Sequence, residues 1–192
     1  EAWSDEATFY IWNGAQYAVR HGGESFCEKD FTFCDPWPNP KEMIQELHRH
    51  GVRLVLWQIP ALKKLDAGQV CQQHDADDAY AVQNDLVVKN AQGAPYRIPK
   101  QWFVGSHVPD FSNSELRKWW TDKRKYLLEM GVDGFKTDGG EFIHDLDVRF
   151  HNGKRGTEMR NRYVADYEKT YAEAIGSGRT LFSRAGYLGA QA

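Results

Sequence analysis

The sequence predicts an α/β protein that forms part of a (β/α)8 TIM barrel and covers roughly its strands 2 to 5. Three segments of the chain repeat one order: an amphipathic helix, a glycine that ends it, and a short apolar strand. Each strand ends in aromatic or charged residues, as barrel strands do at the catalytic face. A doubly wound open sheet is the alternative fold, but no G-x-G-x-x-G loop follows any of the strands.

The first unit contains a predicted helix that is capped by Asn39 and has Pro40 at its first position. After a glycine, residues 53–59 form a nearly continuous apolar run, which is typical of a parallel strand covered on both faces. Trp57 lies near the carboxyl end of this run. The sequence therefore predicts that the Trp57 side chain emerges at the end of a buried strand.

The second and third units follow the same order. A capping box of Ser112 and Glu115 predicts the start of a helix that runs to a glycine, and residues 134–138 form the next strand. Tyrosines at i, i+4 spacing predict a helix over residues 157–175, and the strand 180–184 comes next. These two strands end in an aspartate and an arginine, so both charges are expected at one edge of the sheet.

Two long stretches have weak patterns. Residues 61–111 and 10–38 are predicted as irregular segments, the second rich in glycine and aromatic residues. Long loops within an α/β domain are usually functional. We expect both to lie over the end of the sheet that carries the candidate residues.

Composition excludes several classes of protein. The chain has 192 residues, 41% of them hydrophobic, which is enough for a buried core. A net charge of −3 with interspersed signs argues against nucleic acid as a partner. No apolar run is long enough for a membrane span, and the three cysteines fit neither a disulfide framework nor a zinc site. We predict no metal and no cofactor, and nothing in the sequence predicts localisation.

The length suggests a partial domain. A complete (β/α)8 barrel normally needs about 250 residues, and three complete strands account for less than half of its eight. Residues 1–192 are therefore expected to be a fragment of the catalytic barrel of a longer enzyme. The macromolecular partner expected for this fragment is then the rest of its own full-length chain.

Asp138 is the candidate catalytic residue. With a period of two along strand 134–138, Lys136 and Asp138 share one face, so a cation lies beside the acid and favours its ionised form. Gly139 and Gly140 let the chain turn sharply and let a substrate approach. A structural ion pair is an equally open interpretation. A Schiff base on Lys136, as in aldolase-type enzymes, is another.

The chain resembles the central part of the catalytic barrel of glycoside hydrolase family 31, which includes α-glucosidases, α-xylosidases and related retaining enzymes. Several motifs in consistent order make this resemblance more specific than any single motif. The motifs are Asp30 to Phe33, Pro38 to Met43, Leu56 to Pro60, Asp110 to Asn113, Gly131 to Asp138, Leu181 to Arg184 and Gly189 to Gln191.

The resemblance implies roles for four strand residues. Asp138 resembles the family's nucleophile, and Lys136 resembles its basic neighbour in the sugar pocket. Trp57 is similar to a wall of that pocket, although a tryptophan packed in the core is the alternative. Arg184 resembles a residue of the next strand that binds sugar hydroxyls.

The start of the chain resembles the end of the second barrel strand, where the family places an acid that binds sugar hydroxyls. Glu1 fits this position best, and Asp5 or Glu6 are alternatives. Trp102 lies in the long loop before Asp110 and is a candidate for the rim of the pocket. A residue that only anchors the loop is an equal possibility there.

The resemblance implies a retaining, exo-acting α-glycosidase that hydrolyses terminal α-linked sugars of a small carbohydrate through a covalent intermediate on Asp138. A second carboxyl group must protonate the leaving oxygen. In the family this is an aspartate beyond the position of Ala192, and Glu141 is a less favoured candidate. The alternatives are α-galactosidase, α-xylosidase or α-glucosyltransferase activity, or a sugar-binding fragment without the acid.

Overall fold

The computed structural model of the chain describes residues 2–186. Within these residues, helices separate successive strands from residue 55 onward, as the sequence predicts. The strands are β1 (Gln16–Tyr17), β2 (Phe31–Thr32), β3 (Val55–Gln58), β4 (Gly134–Thr137) and β5 (Thr180–Ser183). The helices are α1 (Pro40–Arg49), α2 (Gln72–Gln83), α3 (Ser114–Asp122), α4 (Lys125–Glu129), α5 (Gly156–Met159) and α6 (Arg162–Ile175).

Strands β3, β4 and β5 form one parallel sheet in that order. In its register Trp57 lies opposite Lys136, and Lys136 lies opposite Phe182. Short β1 and β2 pair antiparallel in a separate sheet. The parallel sheet confirms the predicted α/β class, and each of its strands ends one residue earlier than the sequence predicts.

The two faces of the parallel sheet have different roles. The helix face of β4 presents Phe135 and Thr137, both buried, and the Phe135 ring lies 5.4 Å from that of Tyr171 on α6. Lys136 and Asp138 point to the other face, which we call the site face. The period-two prediction for this strand is therefore confirmed, and α6 covers the side that carries no candidate residue.

The ends of the helices differ from the predictions. Asn113, not Ser112, caps α3, because its side chain accepts the Glu115 amide at 2.9 Å. Asn39 precedes α1 as predicted, but its side chain makes no capping hydrogen bond. The single helix predicted over 157–175 consists of α5 and α6, with a break between Met159 and Arg162.

The second helix is also interrupted, between α3 and α4. At this break the side chains of Lys123 and Arg124 are both buried. Lys123 Nζ binds Asp77 Oδ1 at 3.0 Å, and the Arg124 guanidinium stacks on Trp120 at 3.9 Å from the ring centroid. A search for apolar residues at the helical period of 3.6 does not detect this break, because the residues at the break are buried cations.

Helix α2 contradicts the prediction that residues 61–111 are irregular. Its buried residues include the polar side chains Gln73, His74 and Asp77, so it lacks the apolar stripe that predicts a helix. The Asp77 carboxylate accepts from Tyr10 at 2.6 Å and from Gln73 at 2.8 Å. Hydrogen bonds of buried side chains, one from the distant Tyr10 and one within α2 itself, therefore replace part of the apolar contacts that usually hold a helix.

No helix within residues 2–186 combines the length and the apolar character needed to cross a membrane. Over the same residues, no three His, Cys, Asp or Glu side chains converge as metal ligands do. Cys27, Cys34 and Cys71 are free thiols.

We predict that Gly134→Ala weakens the fold strongly, because an added Cβ would lie 1.8 Å from the Thr180 carbonyl oxygen. This clash falls on the pairing of β4 with β5, so we expect a loss of more than about 3 kcal/mol in the free energy of unfolding. Gly153→Ala is the matched control, since Gly153 has a φ of +80° but open space around the added atom. It should cost about 1 kcal/mol. Chemical denaturation of the full-length variants measures both, and equal losses would contradict the clash.

Candidate active site

The Asp138 carboxylate lies just beyond the end of β4, and only 6% of the residue is exposed. Its Oδ2 accepts from the Trp57 indole Nε1 at 3.0 Å. Its Oδ1 accepts from the Gly139 amide at 2.9 Å and from the Arg184 guanidinium. Donors from both neighbouring strands and from the turn after β4 therefore hold this carboxylate in place.

These contacts set the charge of Asp138. Burial by itself raises the pKa of the carboxyl, because it disfavours the charged form. The hydrogen bonds from Trp57, Arg184 and the Gly139 amide outweigh burial, so the pKa lies below its usual value. A buried carboxylate is thus kept ionised, which is the state that a nucleophile needs.

Arg184 joins two acids. Besides its bond to Asp138, its two terminal nitrogens bind Glu141 at 3.0 Å and 2.7 Å. This bidentate pair engages both oxygens of Glu141, whose residue is exposed. The sequence indicated Glu141 only as a less favoured candidate for the general acid and did not reveal this pairing, because the two residues lie on different segments.

Lys136 lies on the site face as predicted, with Nζ 3.6 Å from Asp138 Oδ2. Its side chain is 30% exposed, so the ammonium contacts both the carboxylate and solvent. The distance from Lys136 Nζ to Asp138 Oδ2 is compatible with an ion pair, but it is longer than the hydrogen bonds that Asp138 accepts from Trp57 and Gly139. Arg184 and the indole therefore hold the carboxylate more closely than the lysine does.

Trp57 is placed where either interpretation made from the sequence is possible, so its role as a wall of a sugar pocket stays a prediction. It is buried, and its ring also lines a cavity of about 630 Å³ beside the site. A volume of this size is typical of small-molecule sites. The indole contact with Asp138 is the feature that the sequence did not predict, because alternation gives the direction of a side chain but not its hydrogen-bond partner.

Trp102 also lines this cavity and is 48% exposed, and its place at the rim of a sugar pocket stays a prediction. Its ring centroid is 6.1 Å from that of Trp57 and 4.9 Å from that of Phe103. Phe103 and Phe9 both have left-handed backbone conformations, with φ of 59° and 58°, and their rings meet edge to face at 5.8 Å. Strained backbone of this kind is concentrated at functional sites. Phe9 has no signal in the sequence and was not predicted.

The acidic start of the chain is only partly described. Glu1 lies outside the described residues, so its predicted role has no structural counterpart. Asp5 lines the cavity, and its carboxylate accepts the Ala7 amide, the Thr8 amide and the Thr8 hydroxyl, each at 2.7 Å. Glu6 also lines the cavity and is exposed. The substrate-binding role of Asp5 remains a prediction, and its observed contacts organise the turn that follows it.

The fold and site define a segment of a parallel α/β barrel with an ionised carboxylate at the carboxyl end of a strand. Residues 9–192 match the family model described as the glycosyl hydrolases family 31 TIM-barrel domain. The chain therefore belongs to glycoside hydrolase family 31, and the predicted family and TIM-barrel fold are confirmed.

Two curated relatives match the whole chain. It is 44% identical to the isomaltosyltransferase of Sporosarcina globispora and 42% identical to the 1,3-alpha-isomaltosidase of Kribbella flavida. The chain spans only 18% and 27% of the length of these two enzymes. These relatives are enzymes that transfer or hydrolyse glycosyl groups.

Many solved structures match the fold, and two of them illustrate the likeness. The cycloalternan-forming enzyme of Listeria monocytogenes, in complex with a pentasaccharide substrate, has a TM-score of 0.94 and 46% identity over 98% of this chain and 18% of its own. The cycloalternan-degrading enzyme of Trueperella pyogenes, in complex with a covalent intermediate, has a TM-score of 0.92 and 39% identity over 100% of this chain and 27% of its own.

We predict that Asp5→Ala lowers the stability of the full-length protein by about 1–3 kcal/mol, because two amides and one hydroxyl lose their acceptor. Asp5→Asn is the matched variant, since its carbonyl oxygen still accepts the two amides. It should retain most of the stability. Thermal unfolding and KM measured together test this role. A rise in KM in both variants with no change in Tm would instead identify Asp5 as a substrate-binding residue.

Proposed function

We propose that the full-length protein is a retaining α-glycosidase or transglycosylase in which Asp138 bonds covalently to the anomeric carbon of the sugar. The observation that carries this proposal is the Asp138 carboxylate, buried and kept ionised at the end of β4 in a family 31 barrel. Family membership favours this chemistry over a Schiff base on Lys136.

In the first step an Asp138 oxygen gives an electron pair to the anomeric carbon while the glycosidic C–O bond breaks. The leaving oxygen takes a proton from a general acid. Glu141 suits this acid role poorly, because Arg184 engages both of its oxygens in a bidentate pair. The proposal therefore places the acid after Ala192, in line with the family resemblance.

In the second step water or a sugar hydroxyl attacks the same carbon from the opposite face, gives its proton to the deprotonated general acid, and releases Asp138. Two displacements restore the original configuration, so the product keeps the α anomer. The Trueperella pyogenes enzyme, solved in complex with a covalent intermediate, supports this route for a protein 39% identical to the chain.

The names of the relatives support a narrower substrate class. We propose an α-linked glucose oligosaccharide that carries isomaltosyl units, because both curated relatives that match the whole chain act on isomaltosyl groups by name. Relatives named α-xylosidase are only 28% identical. The cavity that Trp57 and Trp102 line offers aromatic faces of the kind that pack against sugar rings.

Whether the acceptor is water or another sugar depends on the second step alone. The same intermediate serves both outcomes, and the chain resembles one transferase and one hydrolase almost equally. Chromatography of the products from an isomaltosyl oligosaccharide separates the two. Free isomaltose indicates hydrolysis, and longer saccharides indicate transfer.

We predict that Asp138→Ala in the full-length enzyme lowers kcat by several orders of magnitude. An activated 2-fluoroglycoside should label Asp138 in the unchanged enzyme, as detected by peptide mass spectrometry. Asp145→Ala is the matched control, because Asp145 is an exposed acid in the segment after β4. Retention of a tenth of the activity by Asp138→Ala would refute the nucleophile assignment.

We predict that Trp57→Phe moves the acidic limb of the kcat/KM profile to higher pH. Asp138 acts as the ionised form, so activity is present above its pKa and lost as the pH falls through it. Loss of the indole donor raises that lowered pKa toward its usual value. Trp102→Phe is the control, because within residues 2–186 Trp102 makes no hydrogen bond to Asp138. It should leave the limb in place. An unshifted limb in Trp57→Phe would contradict the role of the indole.

A further inference from the structure

The end of the sheet has a second carboxylate, on the helix face. Glu168 of α6 points toward the ends of β4 and β5, where its Oε2 accepts from the Thr137 hydroxyl at 2.6 Å and from the Ser183 hydroxyl. The two hydroxyl oxygens are 3.0 Å apart. One carboxylate oxygen therefore binds the last residue of each strand.

Both hydroxyls belong to residues that directly precede candidate site residues. Thr137 precedes Asp138, and Ser183 precedes Arg184. Successive side chains of a strand alternate between faces, so a contact on the helix face fixes the direction of the next side chain on the site face. Thr137 and Ser183 are also register partners, and the Arg184 amide donates to the Thr137 carbonyl at 3.0 Å.

We infer that Glu168 is a positioning residue that holds Asp138 and Arg184 in the geometry needed for attack. This inference rests on the proposed function, because it assigns Glu168 to the same reaction. On the site face the Asp138–Arg184 pair joins the two strand ends, and on the helix face the shared acceptor joins them. The Glu168 carboxylate thus fixes the two strand ends on the helix face, and the Asp138–Arg184 ion pair fixes them on the site face.

The surroundings of Glu168 indicate that its side chain makes a specific contact and is not a solvated surface charge. Its Oε1 is buried with no hydrogen-bond partner among residues 2–186. Burial raises the pKa of Glu168 despite the two hydroxyl donors. A buried carboxyl group is costly unless it is well bonded, and here its bonds go to two hydroxyls at the strand ends.

The test compares Glu168→Leu with Glu168→Gln in the full-length enzyme. Leucine removes the acceptor, whereas the glutamine carbonyl still accepts both hydroxyls. Glu173→Gln is the matched control, since Glu173 is an exposed acid on the same helix. We expect Glu168→Leu to lower kcat and the rate of Asp138 labelling together, by up to about 100-fold, with little change in KM. Glutamine should restore most of the rate, and the control should match the unchanged enzyme.

A mutant cycle separates a positioning role of Glu168 from general destabilisation of the protein. Thr137→Val and Ser183→Ala remove the two donors, so in that background Glu168→Leu should cause little further loss. If Glu168→Leu fails to fold, kcat and Asp138 labelling are measured in the variant with these two substitutions instead. Unchanged kcat and labelling in Glu168→Leu would overturn the inference, as would a loss that only follows the folded fraction. Absence of labelling in the unchanged enzyme would instead overturn the proposed function.

Discussion

The in-register pairing of β4 between β3 and β5 is the constraint on which the candidate site depends. Trp57 comes from β3, Asp138 follows β4 and Arg184 follows β5, so their contacts exist only in this register. A slip of one residue would turn Asp138 to the helix face. Gly134 fits this arrangement because the neighbouring backbone at Thr180 leaves no room for a Cβ. Backbone pairing thus brings the three residues to one edge of the sheet, where their side-chain contacts can form.

Charge balance makes a buried carboxylate possible at this position. Burial disfavours the ionised form of Asp138, and donors from three directions more than compensate. The cluster contains two acids, Asp138 and Glu141, and two cations, Lys136 and Arg184. Because Arg184 is shared, its attraction is divided between a buried acid and an exposed one. Glu141 therefore helps to orient Arg184, and Arg184 in turn binds the Asp138 carboxylate. The link between the two acids passes through the arginine.

The sequence predicted most of what depends on local patterns. Alternation placed Asp138 and Lys136 on one face, and the order of helix, glycine and strand identified all three parallel strands. It failed where distant residues decide the structure. Helix α2 buries polar side chains that bond to other segments, so its pattern resembles a loop. The indole contact to Asp138, like the Glu168 contacts to Thr137 and Ser183, joins residues at least 15 positions apart. No local pattern encodes such pairs.

The strands and the loops divide the proposed reaction between them. The strands hold the carboxylate and its donors, which the formation of an intermediate requires, and this part is common to hydrolysis and transfer. The choice of acceptor depends on what reaches that intermediate. The cavity walls come from irregular segments, with Phe9 and Phe103 in left-handed conformations and in contact with each other. Trp57 belongs to both parts, since its ring lines the cavity while its Nε1 binds Asp138. Under the proposed function, a sugar ring packed against this indole would contact the same side chain that donates to Asp138, and this would link substrate binding to the ionisation of the proposed nucleophile.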